Sequence, residues 1–482
     1  MIALTERRCE QPTIAAELER VGGRLMLLFV TETASGRELC AIMRTDDSTL
    51  LLRAPVTGRG YPAVTPRVPA AHWFEREIHD LWDIVPEGHP RLEPLVRHGP
   101  EQAEIALPAN GEIGAGHRGA ERLSGPGVFV FPYGPVRSGV FEAAQFLVQT
   151  GGEDVAYCAQ RLFFKRRGAE RRIREVPLEL AVLVAERVSG TSSVAHALAF
   201  SHAVEALSAT EVPPRAQAIR RMLAELERMY NHVEVAVREC EDASLSVAQA
   251  QFAALKERLH RLAGEIIGNR FLRGAVVPGG VRLDVPRDMA NRSGETLGEW
   301  ERDYRHVVAM LLQTDSFLDR LVSAGPLSEQ DAREFACVGP VARASGVDLD
   351  TRRDFPYDGY AEFSVSRHTD GDAMARIEVR FQEIDASLEL IREALGSLVD
   401  GPIRNKIGAF VTDEALGAAE SARGETLYWL EAGDAASLRF CKLRAASFVN
   451  YGIFNRLFDS QVLTDFSFIE HSLGLSPAGC DA

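Results

Sequence analysis

The sequence predicts an α+β fold: a small N-terminal α+β domain, then a mainly helical bundle domain that carries a small β-sheet. Three observations lead there. Short apolar runs separated by turns crowd the first hundred residues, a Gly-, Ala- and Glu-rich stretch without apolar periodicity follows, and long helical patterns dominate from residue 178 onward. The expected divisions of the 482-residue chain are therefore 1–100, a linker at 101–125, and 126–482.

In order, AAELERVGG (Ala15–Gly23) reads as a helix closed by glycines. The runs RLMLLFVTE (24–32), ELCAIMRTD (38–46) and TLLLRAPV (49–56) are short enough, and separated by enough turn residues, to be strands. Prolines bracket a helix at Ala70–Leu81, which places Phe74, Ile78 and Leu81 on one face and Arg76 within i,i+4 reach of Asp80. Between Val128 and Ile173 the pattern alternates like strands joined by glycine turns. Helices are expected at 178–187, 193–207, 216–240, 247–267, 296–322 and 375–398, the third opened by Pro213 and Pro214.

Composition narrows the class. With 46% hydrophobic and 26% charged residues the chain reads as an ordinary globular protein, and no apolar run reaches the roughly 18–20 residues of a membrane span. Charges in MIALTERRCEQPTIAAELER stand where a signal peptide needs an apolar core, so a cytoplasmic location is expected. A net charge of −15 argues against nucleic acid or an anionic membrane surface as the main partner. The seven cysteines are scattered, with no CxxC and no Cys/His cluster, so the residues offer no local iron–sulfur or zinc signature.

Four stretches carry candidate chemistry. ERVSGTSSVAHALAFSHAVE (Glu186–Glu205) is a polar turn opening an apolar helix, where a serine can accept from the unpaired N–H groups of the first turn. Read from its residues, it is either an N-capped core helix or a site at the junction. GPVRSGVFE (Gly134–Glu142) is a hairpin turn or a loop whose glycines let backbone approach a ligand, and KRRGAERR (Lys165–Arg172) is by itself a solvated basic run. Glu225, Arg228 and His232 share a helical face, a spacing that favours a buried structural network.

These stretches together resemble a known family. Glu186–His196 resembles the first active-site motif of the [NiFe] hydrogenase large subunit, Glu-Arg-Ile-Cys-Gly-x-Cys-Ser-x-x-His: Glu186, Arg187, Gly190, Ser193 and His196 match, while Ser189 and Ser192 replace both cysteines. GPVR resembles the family's Gly-Pro-Val-His loop, with Arg137 in place of His. Arg167, Gly168 and Glu170 resemble its His-Arg-Gly-x-Glu motif, with Arg166 in the His position. Tyr61–His98 is similar to the accessory small subunit of complex I, fused to the large subunit as in formate hydrogenlyase, and ELERMYNH, Gly339–Tyr360 and Gly371–Ile391 are similar to the large subunits. Hydrogenases end near Asp-Pro-Cys-x-x-Cys; here Ala478 takes the first cysteine's place and Cys480 falls one position short of the second, leaving at most one soft ligand of four, too few for nickel.

The resemblance implies a subunit of a complex I-like, hydrogenase-related, NADH dehydrogenase (quinone)-like oxidoreductase, peripheral on the cytoplasmic side of a membrane. Electrons would come from an iron–sulfur small subunit and go to a quinone or another small acceptor, coupled to proton translocation by antiporter-like membrane subunits. No metal or other cofactor is expected on this chain itself. Glu170 (as proton relay), Arg137 and His196 are the implied catalytic residues, and Arg167, Glu186, Arg187, Ser189 and Ser192 the implied lining of one cavity. The alternatives are a hydrogen-evolving nickel enzyme and a non-catalytic structural adaptor; Arg352, Arg353, Asp354 and Tyr357 form either a partner-contacting segment or a loop held by ion pairs.

Overall fold

The computed structural model describes residues 2–97, 127–137, 142–360 and 363–481, and the expected linker 101–125 lies outside them. In the N-terminal part, strands β1 (Leu4–Arg8), β2 (Arg24–Thr33), β3 (Gly36–Arg44) and β4 (Thr49–Pro55) form one sheet in the order β1-β4-β3-β2, with helix α1 (Ile14–Val21) between the first two strands. All three apolar runs become strands. Short strands β5 (Gly60–Pro62) and β6 (Val85–Glu87) pair in parallel on either side of helix α2 (His72–Trp82). Phe74 and Ile78 of α2 are buried. Arg76 and Asp80 do not pair: Asp80 accepts the N–H groups of Leu95, Val96 and Arg97, and Arg76 donates to the carbonyls of Glu93 and Pro94. Three backbone donors bind one oxygen of the buried carboxylate, with His79 Nδ1 3.6 Å from the other, and the two side chains fasten the same segment to the helix.

The large part begins with an antiparallel sheet of β7 (Phe129–Tyr133), β8 (Gln145–Thr150) and β9 (Val155–Arg161). Helices α3 (Ala169–Glu175), α4 (Leu178–Ala185) and α5 (Ser193–Leu207) follow, then the long pair α6 (Pro214–Asp242) and α7 (Ser246–Ile267). Helix α3 occupies the end of the stretch read as strand. A small hairpin, β10 (Val276–Val277) and β11 (Gly280–Val281), precedes α8 (Arg287–Leu311) and α9 (Asp315–Leu321); the single helix expected at 296–322 is these two, broken at Leu312–Thr314. Short helices α10 (Glu329–Glu334), α11 (Gly339–Ala344) and α12 (Thr351–Asp354) lead to α13 (Ala373–Gly396).

A second sheet, absent from the sequence-based expectation, comes next: β12 (Glu414–Ser421), β13 (Gly424–Ala432) and β14 (Leu438–Arg444), all antiparallel. Helices α14 (Ala446–Tyr451), α15 (Phe466–Leu473) and α16 (Pro477–Cys480) close the described chain. Alternation along β13 lets this sheet serve two layers. Tyr428 faces α5, edge-on to His196 and Phe200, while Trp429 faces the N-terminal sheet, 5.8 Å from the ring of Phe29. Helix α5 lies so close to β12 that a Cβ at Gly417 would stand 2.1 Å from the carbonyl oxygen of Ala199, a contact only glycine permits.

The two parts share one core. One large cluster of buried side chains runs from Ile14 to Cys480, beside a small separate one of Ala344, Ala375 and Val379, and charged pairs cross the boundary: Arg24 with Glu425 at 2.7 Å, Lys442 with Glu77 at 2.7 Å, and Arg53 with Glu414. Inside the bundle, Glu225 accepts from Arg228, Arg352, Tyr360 and Ser387, and Arg343 pairs with Glu383 and Glu420. His232 bonds Glu383 at 2.8 Å. Of the two readings of the 352–357 segment, ion pairing holds for Arg352, which is buried in this network, while Arg353 is bound to Asp348 and Asp354. Among the described residues no helix is long and apolar enough to cross a membrane.

Candidate functional site

The polar turn before α5 is held from three sides. Behind it, Glu186 is buried and accepts the N–H of Gly274 at 2.6 Å while pairing with Arg187 at 2.5 Å. Arg167 donates to the carbonyls of Arg187 (2.9 Å) and Val188 (2.6 Å) and, on the other side, to that of Ala478 (3.3 Å). That guanidinium ties the turn to the C-terminal segment. The Ser189 and Ser476 hydroxyls lie 3.2 Å apart, and Ser476 donates to Glu142 at 2.7 Å, which also takes the N–H of Ala478 at 2.7 Å. The two segments in which hydrogenases carry their cysteines thus meet here through hydroxyls and a carboxylate.

The helix is not capped by its own serine. Ser192 is the N-cap residue but makes no side-chain cap bond, because its hydroxyl accepts instead from Arg423 Nη1 at 2.8 Å. The same nitrogen donates to Asn231 Oδ1 at 3.1 Å, and Asn231 in turn holds the Thr191 carbonyl. The capping task passes to Glu227 of α6, whose two oxygens accept the N–H groups of Val194 (2.7 Å) and Ala195 (3.0 Å). A carboxylate at a helix N-terminus is favourable. Even so, burial pushes the Glu227 pKa up to about 7, with the two N–H groups and Arg423 pulling the other way. Burial, then Arg423 and Arg167, push His196 down to about 3, so its imidazole is neutral at physiological pH; its Nδ1 shares a 3.0 Å hydrogen bond with the Tyr428 hydroxyl.

The residues expected to line one cavity fall into three groups. Glu186, Arg187, Ser189, Ser192 and His196 surround the start of α5, with Ser189, Ser192 and His196 buried. Arg137 lies against α15, both Glu470 oxygens within 2.8 Å of its Nη1 and its guanidinium over the rings of Tyr133 and Phe146, so its side chain is engaged by the chain's own groups. Glu170 accepts the N–H of Leu443 at 2.9 Å and pairs with Lys442 at 3.1 Å. With Arg167, it lines a cleft of about 780 Å³ between α3, β14 and the N-terminal part.

The donor set does not fit nickel. Ser189 and Ser192 offer neutral hydroxyls, Ala478 offers no ligand, and the buried Cys480 thiol, pushed well above its usual pKa, points at the Ser476 carbonyl 3.8 Å away. The Arg423 guanidinium already donates to the Ser192 hydroxyl at 2.8 Å, a positive charge that opposes a second cation on that oxygen. What the group offers is a fixed positive charge, a neutral imidazole and, in Glu227, a carboxyl whose pKa burial raises to about 7. Arg423, Glu227, Glu142 and Lys442 were not singled out from the sequence. Glu227 stands on the helix that carries Glu225 and Glu142 ends the GPVR loop, so both had a local signal; Arg423 had none.

Two family models and several known proteins match this chain. Residues 25–107 match the family described as the respiratory-chain NADH dehydrogenase 30 Kd subunit, and residues 244–412 the 49 Kd subunit of the same enzyme. Formate hydrogenlyase subunit 5 of Escherichia coli K12 is 30% identical over 430 residues, covering 86% of this chain and 75% of that protein. Hydrogenase-4 component G of the same organism is 28% identical, covering 86% and 74%. The C/D subunit of NADH-quinone oxidoreductase from Bdellovibrio bacteriovorus is 24% identical, covering 87% and 83%.

Proposed function

Because the chain belongs to the family of fused complex I 30-kDa and 49-kDa subunits that includes formate hydrogenlyase subunit 5 and the NADH-quinone oxidoreductase C/D subunits, we propose that it is the nickel-free electron-transfer subunit of a membrane-associated, complex I-like oxidoreductase. The observation that supports the nickel-free reading is the Arg423 guanidinium on Ser192, beside the Ser189–Ser476 contact. On this reading an iron–sulfur small subunit docks on the large part and reduces a quinone or another small polar acceptor. Arg423 and the neutral His196 supply hydrogen bonds to a developing oxyanion, and Glu227 exchanges a proton near neutral pH. Antiporter-like membrane subunits complete the assembly, with this chain peripheral on the cytoplasmic face.

The test is purification of the complex from its native membrane, followed by assay of electron transfer from the reduced iron–sulfur partner to a short-chain quinone. Turnover that falls at least tenfold in Arg423→Gln supports the reading. A complex that reduces no acceptor, with its subunits intact, sinks it. One observation favours the adaptor reading instead: the Ser189, Ser192 and Glu186 side chains are buried and bonded to the chain's own groups. An inert but fully assembled complex is the result that reading expects.

A further inference from the structure

Lys442 is buried on β14, and its ammonium sits between carboxylates from both parts of the chain. Glu77 of α2 binds it with two oxygens at 2.7 and 2.8 Å, and Glu170 of α3 binds it at 3.1 Å. On one side these three groups face the cleft of about 780 Å³, rimmed by Arg166, Arg171, Arg172 and Arg174 and walled by Phe29 and Phe440. On the other side they face a void of about 10 Å³, at the lower limit of the space one water needs, whose far wall is Gly479 and Cys480. Beyond that wall lies the turn whose Ser476 hydroxyl contacts Ser189 and Glu142. Two carboxylates on one ammonium leave a net negative charge in a buried place, which favours uptake of a proton by the pair.

We infer that Glu77, contributed by the N-terminal part, forms with Glu170 and Lys442 a proton relay that carries protons from the interdomain cleft toward the turn at Ser189 and Ser476. The inference rests on the function proposed above and extends it by giving the N-terminal part a group in the reaction path. One proton moves per passage. A water in the cleft gives it to the carboxylate pair, the pair gives it to a water in the void, and the next proton from the cleft restores the pair; no electron moves and no bond to carbon changes. The charged groups around the pair are Lys442 on β14, Arg166, Arg167, Arg171, Arg172, Arg174 and Glu175 around α3, and Arg444 at the end of β14. Burial raises the Glu77 pKa, Lys442 opposes the rise and Glu170 adds to it, while Lys442 itself is held up to about 12 because its two carboxylates outweigh burial. The ammonium therefore keeps its proton, and the raised Glu77 carboxyl is the group that exchanges one.

The relay is tested in the purified complex with two variants. Glu77→Gln keeps the shape of the side chain and removes the proton; turnover at neutral pH is expected to fall at least tenfold with the acceptor KM unchanged and with a changed pH profile, and Glu77→Asp is expected to restore most of it. Unchanged turnover and pH profile in Glu77→Gln overturn the relay. The second variant leaves the three groups in place. With the half-exposed Cys9 replaced by serine, exposed Arg172 is changed to cysteine and capped with a bulky maleimide to block the cleft. Capping is expected to slow turnover several-fold and raise the solvent deuterium isotope effect, whereas a capped complex as fast as the uncapped one overturns the route even if Glu77→Gln fails to assemble. A wild-type complex without turnover instead refutes the proposed function itself.

Discussion

Arg423 reaches across from the β12–β13 turn to place one guanidinium nitrogen 2.8 Å from the Ser192 hydroxyl, at the mouth of α5. A cation fixed there repels another cation. The purified complex is therefore expected to carry no nickel on this chain, and Ser189→Cys with Ser192→Cys and Ala478→Cys to recruit none while Arg423 remains. Elemental analysis of the triple variant decides it; one nickel per chain would refute the electrostatic argument.

Glu227 gives a pH dependence of stability with a definite sign. Its folded pKa of about 7 lies above the unfolded value near 4.5, so between these the folded state binds more protons and stability falls as pH rises, levelling above 7. The full span is worth roughly 3 kcal/mol. Glu227→Gln should flatten this window and cost about 1–3 kcal/mol, since an amide has one oxygen for the two N–H groups of Val194 and Ala195. Urea titrations at pH 5 and pH 8 check both statements.

Glu225 behaves oppositely. Burial alone would raise its pKa, but Arg228 and Arg352, with bonds from Ser387 and Tyr360, outweigh it and hold the carboxyl at about 2. Its contribution is present above the unfolded pKa and lost as pH falls toward 2. Glu225→Ala should cost about 3–5 kcal/mol, because it leaves buried arginines unpaired. Chemical denaturation at neutral pH measures it, and a loss under 1 kcal/mol would contradict the network.

Arg137→Ala is expected to act on stability. The guanidinium binds Glu470 while its plane lies over Tyr133 and Phe146, so truncation strands a carboxylate with 9% side-chain exposure. A loss of about 2–4 kcal/mol is expected with little change in acceptor KM. A raised KM at unchanged stability would return Arg137 to the role of acceptor ligand.

Local pattern reached the N-terminal strands and the ends of α5, because turn residues and apolar periodicity mark them directly. It missed the β12–β14 sheet, where Glu414, Ala415, Leu416, Ala418, Ala419 and Glu420 have helical propensity and only pairing with β13 and the cover of α5 make them strand. The turn at Ser189–Ser193 was legible as a polar turn opening a helix, and the resemblance marked where serines stand in place of thiolates. What occupies their place was not legible: Arg423 lies 231 residues from Ser192 in sequence, and Glu227 lies on another helix. The i,i+4 reading of Arg76 and Asp80 failed for a related reason, since backbone from residues 93–97 competes for both side chains.

The single core running from the first sheet to the last helix changes what the covalent join between the two parts accomplishes. Held by Arg24–Glu425, Lys442–Glu77 and the packing of Phe29 on Trp429, the halves form an interface that would also serve two separate polypeptides. A covalent join between them then raises the effective concentration of one partner at the other. A chain cut between residues 98 and 126 and co-expressed as two pieces should reassemble, so one-gene and two-gene versions of this architecture are physically interchangeable.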